Sequence, residues 1–133
     1  VEADVIITIT SSRAASLMSA HVSDGCHLAC MGTDTVGKQE VEPALVARAT
    51  VFADEVAQSV MLGEAQHAVG MGLKAADAIT PLGAVLVGAH PGRVSAREVT
   101  MFDGTGIGLQ DLAVAGVAVE RARERGMGVE VEV

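Results

Sequence analysis

Asp34 and Lys38 stand four residues apart in the stretch "MGTDTVGKQE", with Gly32 and Gly37 bracketing the turn. A carboxylate placed there could take up a proton or orient a water. A neighbouring ammonium would keep it ionised at neutral pH. The simpler alternative is a solvated turn with an incidental ion pair worth ~0–1 kcal/mol. A second stretch, "MFDGTGIGLQD" (101–111), sets Gly104, Gly106 and Gly108 between an apolar run and a helix-like run. A dinucleotide-binding turn, Gly-x-Gly-x-x-Gly, needs a small residue where Leu109 stands, and Asp103 just before it would repel phosphate. What remains is a tight strand-to-helix turn whose backbone can approach a ligand closely, with N–H groups at the helix start available for polar contacts.

Other chemistry-bearing residues carry less. Cys26 and Cys30 in "CHLAC" would share one face of a strand roughly 13 Å apart, too far for a disulfide. His27 would face the opposite side, so no metal set forms there, and both cysteines read as small buried hydrophobes. His21, His67 and His90 have no ligand-spaced partners. "ERARERG" reads as a solvated helix face, and Met61, Met71 and Met101 as fillers of core gaps. No metal site is expected.

The elements that must position Asp34 and the 101–111 turn follow from periodicity. "ADVIITIT" (3–10) is a β-branched run suited to a strand buried on both faces, with Ser11 and Ser12 able to cap the next element. "CHLACMG" (26–32) is a second strand, ending in the polar loop "TDTVGKQE". Pro43 suits the first turn of a short helix over 43–49. "TVFAD" (50–54) is a third strand with a short helix after it. Between 63 and 92 breakers recur at Gly70, Gly72, Pro81, Gly88 and Pro91, leaving room for two short helices. "EVTMF" (98–102) is a fourth strand. Residues 107–125 carry the strongest helix signal, with Asp111 near the start and Arg121, Arg123 and Arg125 near the end, and Gly126 as the C-cap. "VEVEV" (129–133) alternates as a half-exposed edge strand would. Strands separated by helices indicate an α/β fold with a mainly parallel sheet and flanking helices, ending in a long helix and a C-terminal strand.

Composition limits the partners. The chain has 133 residues, enough for one domain, and a net charge of −8 that disfavours nucleic acid and anionic membranes. Two Phe, no Tyr and no Trp leave little to stack on bases or sugars. No apolar run approaches the ~18 residues of a membrane span. No signal peptide is visible, and the unpaired cysteines favour a reducing, cytoplasmic setting. An opening Val rather than Met suggests a processed product or an excerpt.

Taken together, two stretches resemble the ornithine cyclodeaminase/mu-crystallin family. "DGCHLACMGTDTVGKQEVEPALVARA" is similar to that family's Pro-Gly, His, Asn-Ala-x-Gly, Asp, Gly-Lys-x-Glu pattern. "GRVSAREVTMFDGTGIGLQDLAVAGVAVERARERG" is similar to its Gly-Arg, Glu-Ile-Thr, Phe-Asp-Ser-Thr-Gly, Gln-Asp run and following helix. "ADVIITITSS" fits the strand upstream, and "VFADEVAQSVMLGE" fits a D…Q…GE segment, so the resemblance covers nearly the whole chain in order. It implies a partial Rossmann-like fold: residues 1–106 as the C-terminal portion of an NAD(P)-binding domain, and 107–133 returning towards a substrate and dimerisation domain. It implies NAD as cofactor, with NADP possible, a small amino-acid or cyclic imine substrate, and a homodimer. The activity implied is cyclodeamination, in which an amino acid is oxidised to an imine, cyclised with loss of ammonia, and given its hydride back. NAD(P)H-dependent alanine dehydrogenase or cyclic-ketimine reductase activity is the alternative, and a non-catalytic dinucleotide- or small-ligand-binding protein, or an inactive fragment, the alternative from another functional class.

Carried over by position, the resemblance makes Asp34 the acid/base and places Thr35 and Thr105 against substrate. It places Thr10, Leu28, Ala29, Cys30, Met31, Lys38 and Gly104 along the cofactor. The 101–111 turn would then close over the reacting end of the cofactor instead of cradling its phosphates. Ala29 departs from the usual Asn and Gly104 from the common Ser. The family's Gly-x-Gly-x-x-Gly turn and substrate-binding Arg and Lys residues are absent from these 133 residues, so the isolated chain is expected to bind NAD(H) weakly and to be inactive.

Overall fold

The computed structural model describes residues 3–129 and 131. Five strands make one sheet in the order β1-β3-β7-β5-β6, every neighbouring pair parallel. They are β1 (Val5–Thr8), β3 (His27–Cys30), β5 (Thr50–Ala53), β6 (Ile79–Pro81) and β7 (Thr100–Asp103). A separate parallel pair joins β2 (Arg13–Leu17) to β4 (Gln39–Val41). The helices are α1 (Pro43–Arg48), α2 (Val56–Met61), α3 (Gln66–Gly70), α4 (Leu82–Leu86) and α5 (Gly108–Glu124).

Period-two alternation divides the sheet into two unlike faces. The pairing register puts Leu28, Cys30, Val51, Ala53, Met101 and Asp103 on one side. That side packs with Leu45 and Val46 of α1 and Ala68 of α3 into the core. Cys26 and Cys30 both lie in this core as free thiols. The other side is covered unevenly. Phe52 is buried and meets the His90 ring edge-on, with 5.8 Å between centroids. Over β1 the same face is open, and Ile7 is 66 % exposed.

Three strands differ from the sequence-based expectation or escape it. Ser12 does not cap a helix: its hydroxyl donates to the Ala14 carbonyl at 2.7 Å, and β2 comes next. The polar loop expected over 33–40 turns into β4, because Glu40, which looks like a solvent-facing residue, is fully buried. β6 is three residues long and ends in Pro81, too short to show a period. Between residues 63 and 92, α3 and α4 are the two short helices expected. α5 ends at Glu124, with Gly126 just beyond at φ +62°. The strand expected over 129–133 rests on 130, 132 and 133, which lie outside the described residues.

Parallel strands bring all their carboxyl ends to one edge, and three buried carboxylates fasten the loops that leave it. Glu40 accepts the Thr10 N–H at 2.6 Å and the Gly32 N–H at 3.2 Å, joining the exits of β1 and β3. Glu64 accepts the N–H groups of Glu40 (3.0 Å) and Val41 (2.7 Å) and the Thr33 hydroxyl. Asp103 accepts the Ser59 hydroxyl at 2.5 Å and the N–H groups of Glu64 (3.0 Å) and Ala65 (3.2 Å). Burial pushes the Glu64 and Asp103 carboxyls above their usual range, while the surrounding donors pull the other way.

Gly32 is required by this arrangement. A Cβ there would lie 2.5 Å from Glu40 Oε2 and from the Thr10 backbone nitrogen. Gly32→Ala is therefore expected to lose about 1–3 kcal/mol of stability, as overpacking of a tight site does. Gly116→Ala in α5, where a Cβ meets nothing within 4 Å, should gain roughly 0.5–1 kcal/mol. Urea unfolding midpoints of the two variants check the contrast.

Candidate active site

Loops that leave adjacent parallel strands form a crevice, the usual place for a ligand in an open α/β sheet. Here β1 leads to Thr10, β3 to Met31–Asp34, β7 to Gly104–Gly106 and β5 to Asp54. The edge therefore gathers Thr10, Met31, Asp34, Thr35, Lys38, Gly104 and Thr105 on one side of the molecule. Leu28, Ala29 and Cys30 lie within β3 itself. Leu28 and Cys30 are buried in the core, so they can face a ligand only through their backbone, whereas Ala29 lies on the open face.

Asp34 is an exposed carboxylate of this edge. Its side chain is 55 % accessible, and its Oδ1 lies 2.7 Å from Lys38 Nζ and 3.0 Å from the Thr35 hydroxyl. The Lys38 hydrogen bond, with help from Thr35, holds the Asp34 carboxyl below its usual range, so it is ionised at neutral pH. Lys38 Nζ also donates to the Gly32 carbonyl at 3.2 Å, tying both ends of the loop together. The Lys38 N–H closes the turn onto the Thr35 carbonyl, and Gly37 sits at φ +81°, in the left-handed region that glycine tolerates.

The 104–106 turn is held by Asp54. This carboxylate accepts the Thr105 N–H (3.1 Å), the Thr105 hydroxyl (2.9 Å) and the Gly106 N–H (2.8 Å). The Thr105 hydroxyl oxygen lies 2.9 Å from both Asp54 Oδ1 and Gln58 Oε1, so its one proton is taken up by these two acceptors. Thr105 is thus committed within the fold, and so are the turn's N–H groups at Gly104, Thr105 and Gly106, which bond Cys30 and Asp54. Gly104 is closely packed: a Cβ there would lie 2.7 Å from Met31 Sδ and 3.0 Å from Phe102 Cε1. Asp103 points into the core instead of across the turn.

Sequence reasoning matches Asp54, Gln58 and Glu64 to a motif without assigning them work, and it passes over Gln66. The signal for the first three is their spacing, which sets one carboxylate beyond a buried strand and the other beyond a helix. Gln66 leaves no signal, because a glutamine at a helix start looks like surface. The histidines are satisfied locally. His27 Nδ1 lies 2.8 Å from the Thr100 hydroxyl on the open face, and His90 Nδ1 accepts the Gly92 N–H. A concavity of about 350 Å³ beside His27, Phe52 and Leu82 opens at the strand starts, away from Asp34. Among the described residues no cluster of His, Cys, Asp or Glu could hold a metal ion, and no helix is long and apolar enough to cross a membrane.

Burial would raise the Asp54 carboxyl, but the donors from Thr105, Gly106 and Glu55 outweigh it and hold the group below 3.8. A depressed folded-state value stabilises above the ordinary value and is lost as pH falls through the folded one. Exchange protection of the Thr105 and Gly106 amides is therefore expected to persist at pH 7 and to fade below pH 3.8. Asp54→Asn should lack that step.

Comparison with known proteins gives this edge a context. The family model for the ornithine cyclodeaminase/mu-crystallin family matches residues 1–126. The iminosuccinate reductase of Paracoccus denitrificans is 60 % identical over 132 residues, 99 % of this chain and 41 % of that protein. Its crystal structure in complex with NAD+ matches with a TM-score of 0.95 at 59 % identity, covering 100 % of this chain and 41 % of that one. The alanine dehydrogenase of Archaeoglobus fulgidus is 35 % identical over 97 % of this chain and 40 % of its own length. An archaeal alanine dehydrogenase dimer with bound NAD matches with a TM-score of 0.90 at 34 % identity, over 97 % of this chain and 41 % of that one. The chain thus spans about two fifths of the length of these relatives. With the sheet, the edge loops and the D…Q…GE segment in place, the chain belongs to the ornithine cyclodeaminase/mu-crystallin family.

Proposed function

We propose that this chain supplies the nicotinamide side of an NAD-dependent enzyme that interconverts an amino acid and its imine. The observation that carries the reading is an ionised, solvent-facing Asp34, paired with Lys38 at 2.7 Å, on the carboxyl edge of a parallel sheet beside the Gly104 turn. The reductase or dehydrogenase reaction is favoured over cyclodeamination. Its support is the 60 % identity to an iminosuccinate reductase, against 33 % to the ornithine cyclodeaminase of Agrobacterium tumefaciens.

The strand exits at Thr10 and Gly32 are fixed by Glu40, and the Met31 side chain packs directly on the Gly104 backbone, where a Cβ would lie 2.7 Å from its sulfur. Thr10, Leu28 to Met31, Lys38 and Gly104 would line the bound NAD, which supplies or accepts the hydride. Asp34 does the proton work. In the oxidative direction it takes a proton from the substrate nitrogen. In the reductive direction the same carboxyl, carrying that proton, returns it to the amine nitrogen once hydride has reached the carbon of the protonated imine. Lys38 keeps Asp34 charged between these roles, and Thr35 would contact substrate beside it.

The larger assembly belongs to the same proposal. Residues 1–106 form the C-terminal portion of the Rossmann-type domain. Residues 107–133 extend towards a substrate and dimerisation domain, and the whole enzyme is a homodimer. In support, among the described residues β1 pairs with β3 alone, and Leu109, Leu112 and Val114 on α5 are each about 70 % exposed in this chain. Surfaces of that kind call for a partner.

In the full-length enzyme, Asp34→Asn is expected to lower kcat for imine reduction or amino-acid oxidation by about 10²–10⁴-fold. NADH affinity, read by fluorescence titration, should stay within a few-fold. Full turnover by the variant with iminosuccinate, pyruvate plus ammonia, and cyclic imines would contradict the acid/base role. Intact NADH binding in a parent enzyme inert with all three would favour a binding protein instead.

A further inference from the structure

The Asp34–Lys38 loop needs something to hold it, and its own ion pair is too weak. Both side chains reach solvent, at 55 % and 20 % accessibility, so water screens the pair and it contributes little. Ordering each backbone residue carries an entropy cost, so five ordered loop residues require stronger attachment. That attachment comes from the start of α3. The Gln66 Oε1 accepts the Gly37 N–H at 2.8 Å. Its Nε2 donates to the Gly63 carbonyl at 2.9 Å and reaches the Lys38 and Thr35 carbonyls at 3.3 and 3.4 Å. His67 adds a bond from Nε2–H to the Lys38 carbonyl at 2.9 Å. The carboxamide therefore grips the loop at three residues while being anchored on the turn that Asp103 fastens through the N–H groups of Glu64 and Ala65.

We propose that Gln66 is the positioning residue for the reacting carboxylate, with His67 as a second tether. It acts through backbone groups of residues 35, 37 and 38, setting where Asp34 stands and keeping Lys38 within reach of it. This inference rests on the reading of Asp34 given above. Glu40 and Glu64 hold the loop's entry at Gly32 and Thr33, but among the described residues no side chain besides Gln66 and His67 ties residues 34–38 to a distant part of the fold: the Asp34, Lys38 and Thr35 bonds all stay within residues 32–38.

The test uses the full-length enzyme with Gln66→Leu, which keeps bulk and removes every one of these hydrogen bonds, and Gln66→Glu, which keeps an acceptor for the Gly37 N–H. Gln66→Leu is expected to speed amide exchange at Gly37 and Lys38 about tenfold or more and to lower kcat by up to about 100-fold, as a misplaced group does. The thermal midpoint should stay near the parent value, KM for NADH should change less than kcat, and Gln66→Glu should recover part of kcat. Gln66→Asn, one methylene shorter, carries the same readouts if the Leu variant fails to fold. Unchanged exchange at Gly37 and Lys38 overturns the proposal, and so does a loss of kcat that tracks a fall in the thermal midpoint across the variants. If Asp34→Asn proves fully active, the reading of Asp34 fails while the exchange data still decide whether Gln66 holds the loop.

Discussion

Backbone N–H groups at the carboxyl edge of the sheet are fastened by carboxylates, and the rest of the site depends on that. Strands in a parallel sheet end with their loops pointing the same way, and those loops have no ladder of their own to satisfy their donors. Glu40, Glu64, Asp103 and Asp54 take up that task, each accepting two or more N–H or hydroxyl groups from different loops. Burying a carboxylate is costly unless its oxygens are fully hydrogen-bonded, and here several donors converge on each. The resulting links run from β1 to β3 through Glu40, from β3 to β4 through Glu64, and from β7 to α3 through Asp103. Losing one partner would strand its neighbours as buried unpaired groups, at about 1–3 kcal/mol each.

Division of labour among the acids follows from exposure. Those that build the edge are buried or half-buried and spend their lone pairs within the fold. Asp34 is exposed, and among the described residues its side chain is bonded to Lys38 and Thr35 alone, which is the basis for proposing it as the proton-handling group. The same contrast separates the two threonines at the edge: the Thr105 hydroxyl is consumed by Asp54 and Gln58, while Thr35 stays exposed beside Asp34. A rigid frame with one uncommitted carboxylate is an arrangement suited to proton transfer at a fixed point.

Much of this is legible in the sequence, and the failures have physical reasons. Strands β3, β5 and β7 announce themselves by apolar runs, and α5 by its length and charge placement, whereas the β-branched run of β1, expected to be buried on both faces, lies at the sheet edge with Val5 and Ile7 exposed. The loop holding Asp34 and Lys38 stands out by the glycines around it. What stays hidden are elements built on buried polar residues. Glu40 inside β4 reads as a loop residue because nothing in its side chain reveals the Thr10 and Gly32 donors waiting for it. Gln66 reads as surface for the same reason. Asp103 reads as facing a ligand, although strand alternation puts it on the side of Met101 and the core. Thr105 illustrates the converse: its position at the turn is legible, but the capture of its hydroxyl by Asp54 depends on β5 lying next to β7, which no local pattern encodes.

The most direct measurement is a crystal structure of the full-length enzyme with NADH and a substrate-like amino acid bound. The account predicts the nicotinamide ring against Met31 and the Gly104 turn, with the Asp34 carboxylate in hydrogen-bonding reach of the amino group and still paired with Lys38. A nicotinamide lying elsewhere on the sheet, or an Asp34 side chain directed away from both ligands into solvent, would contradict it.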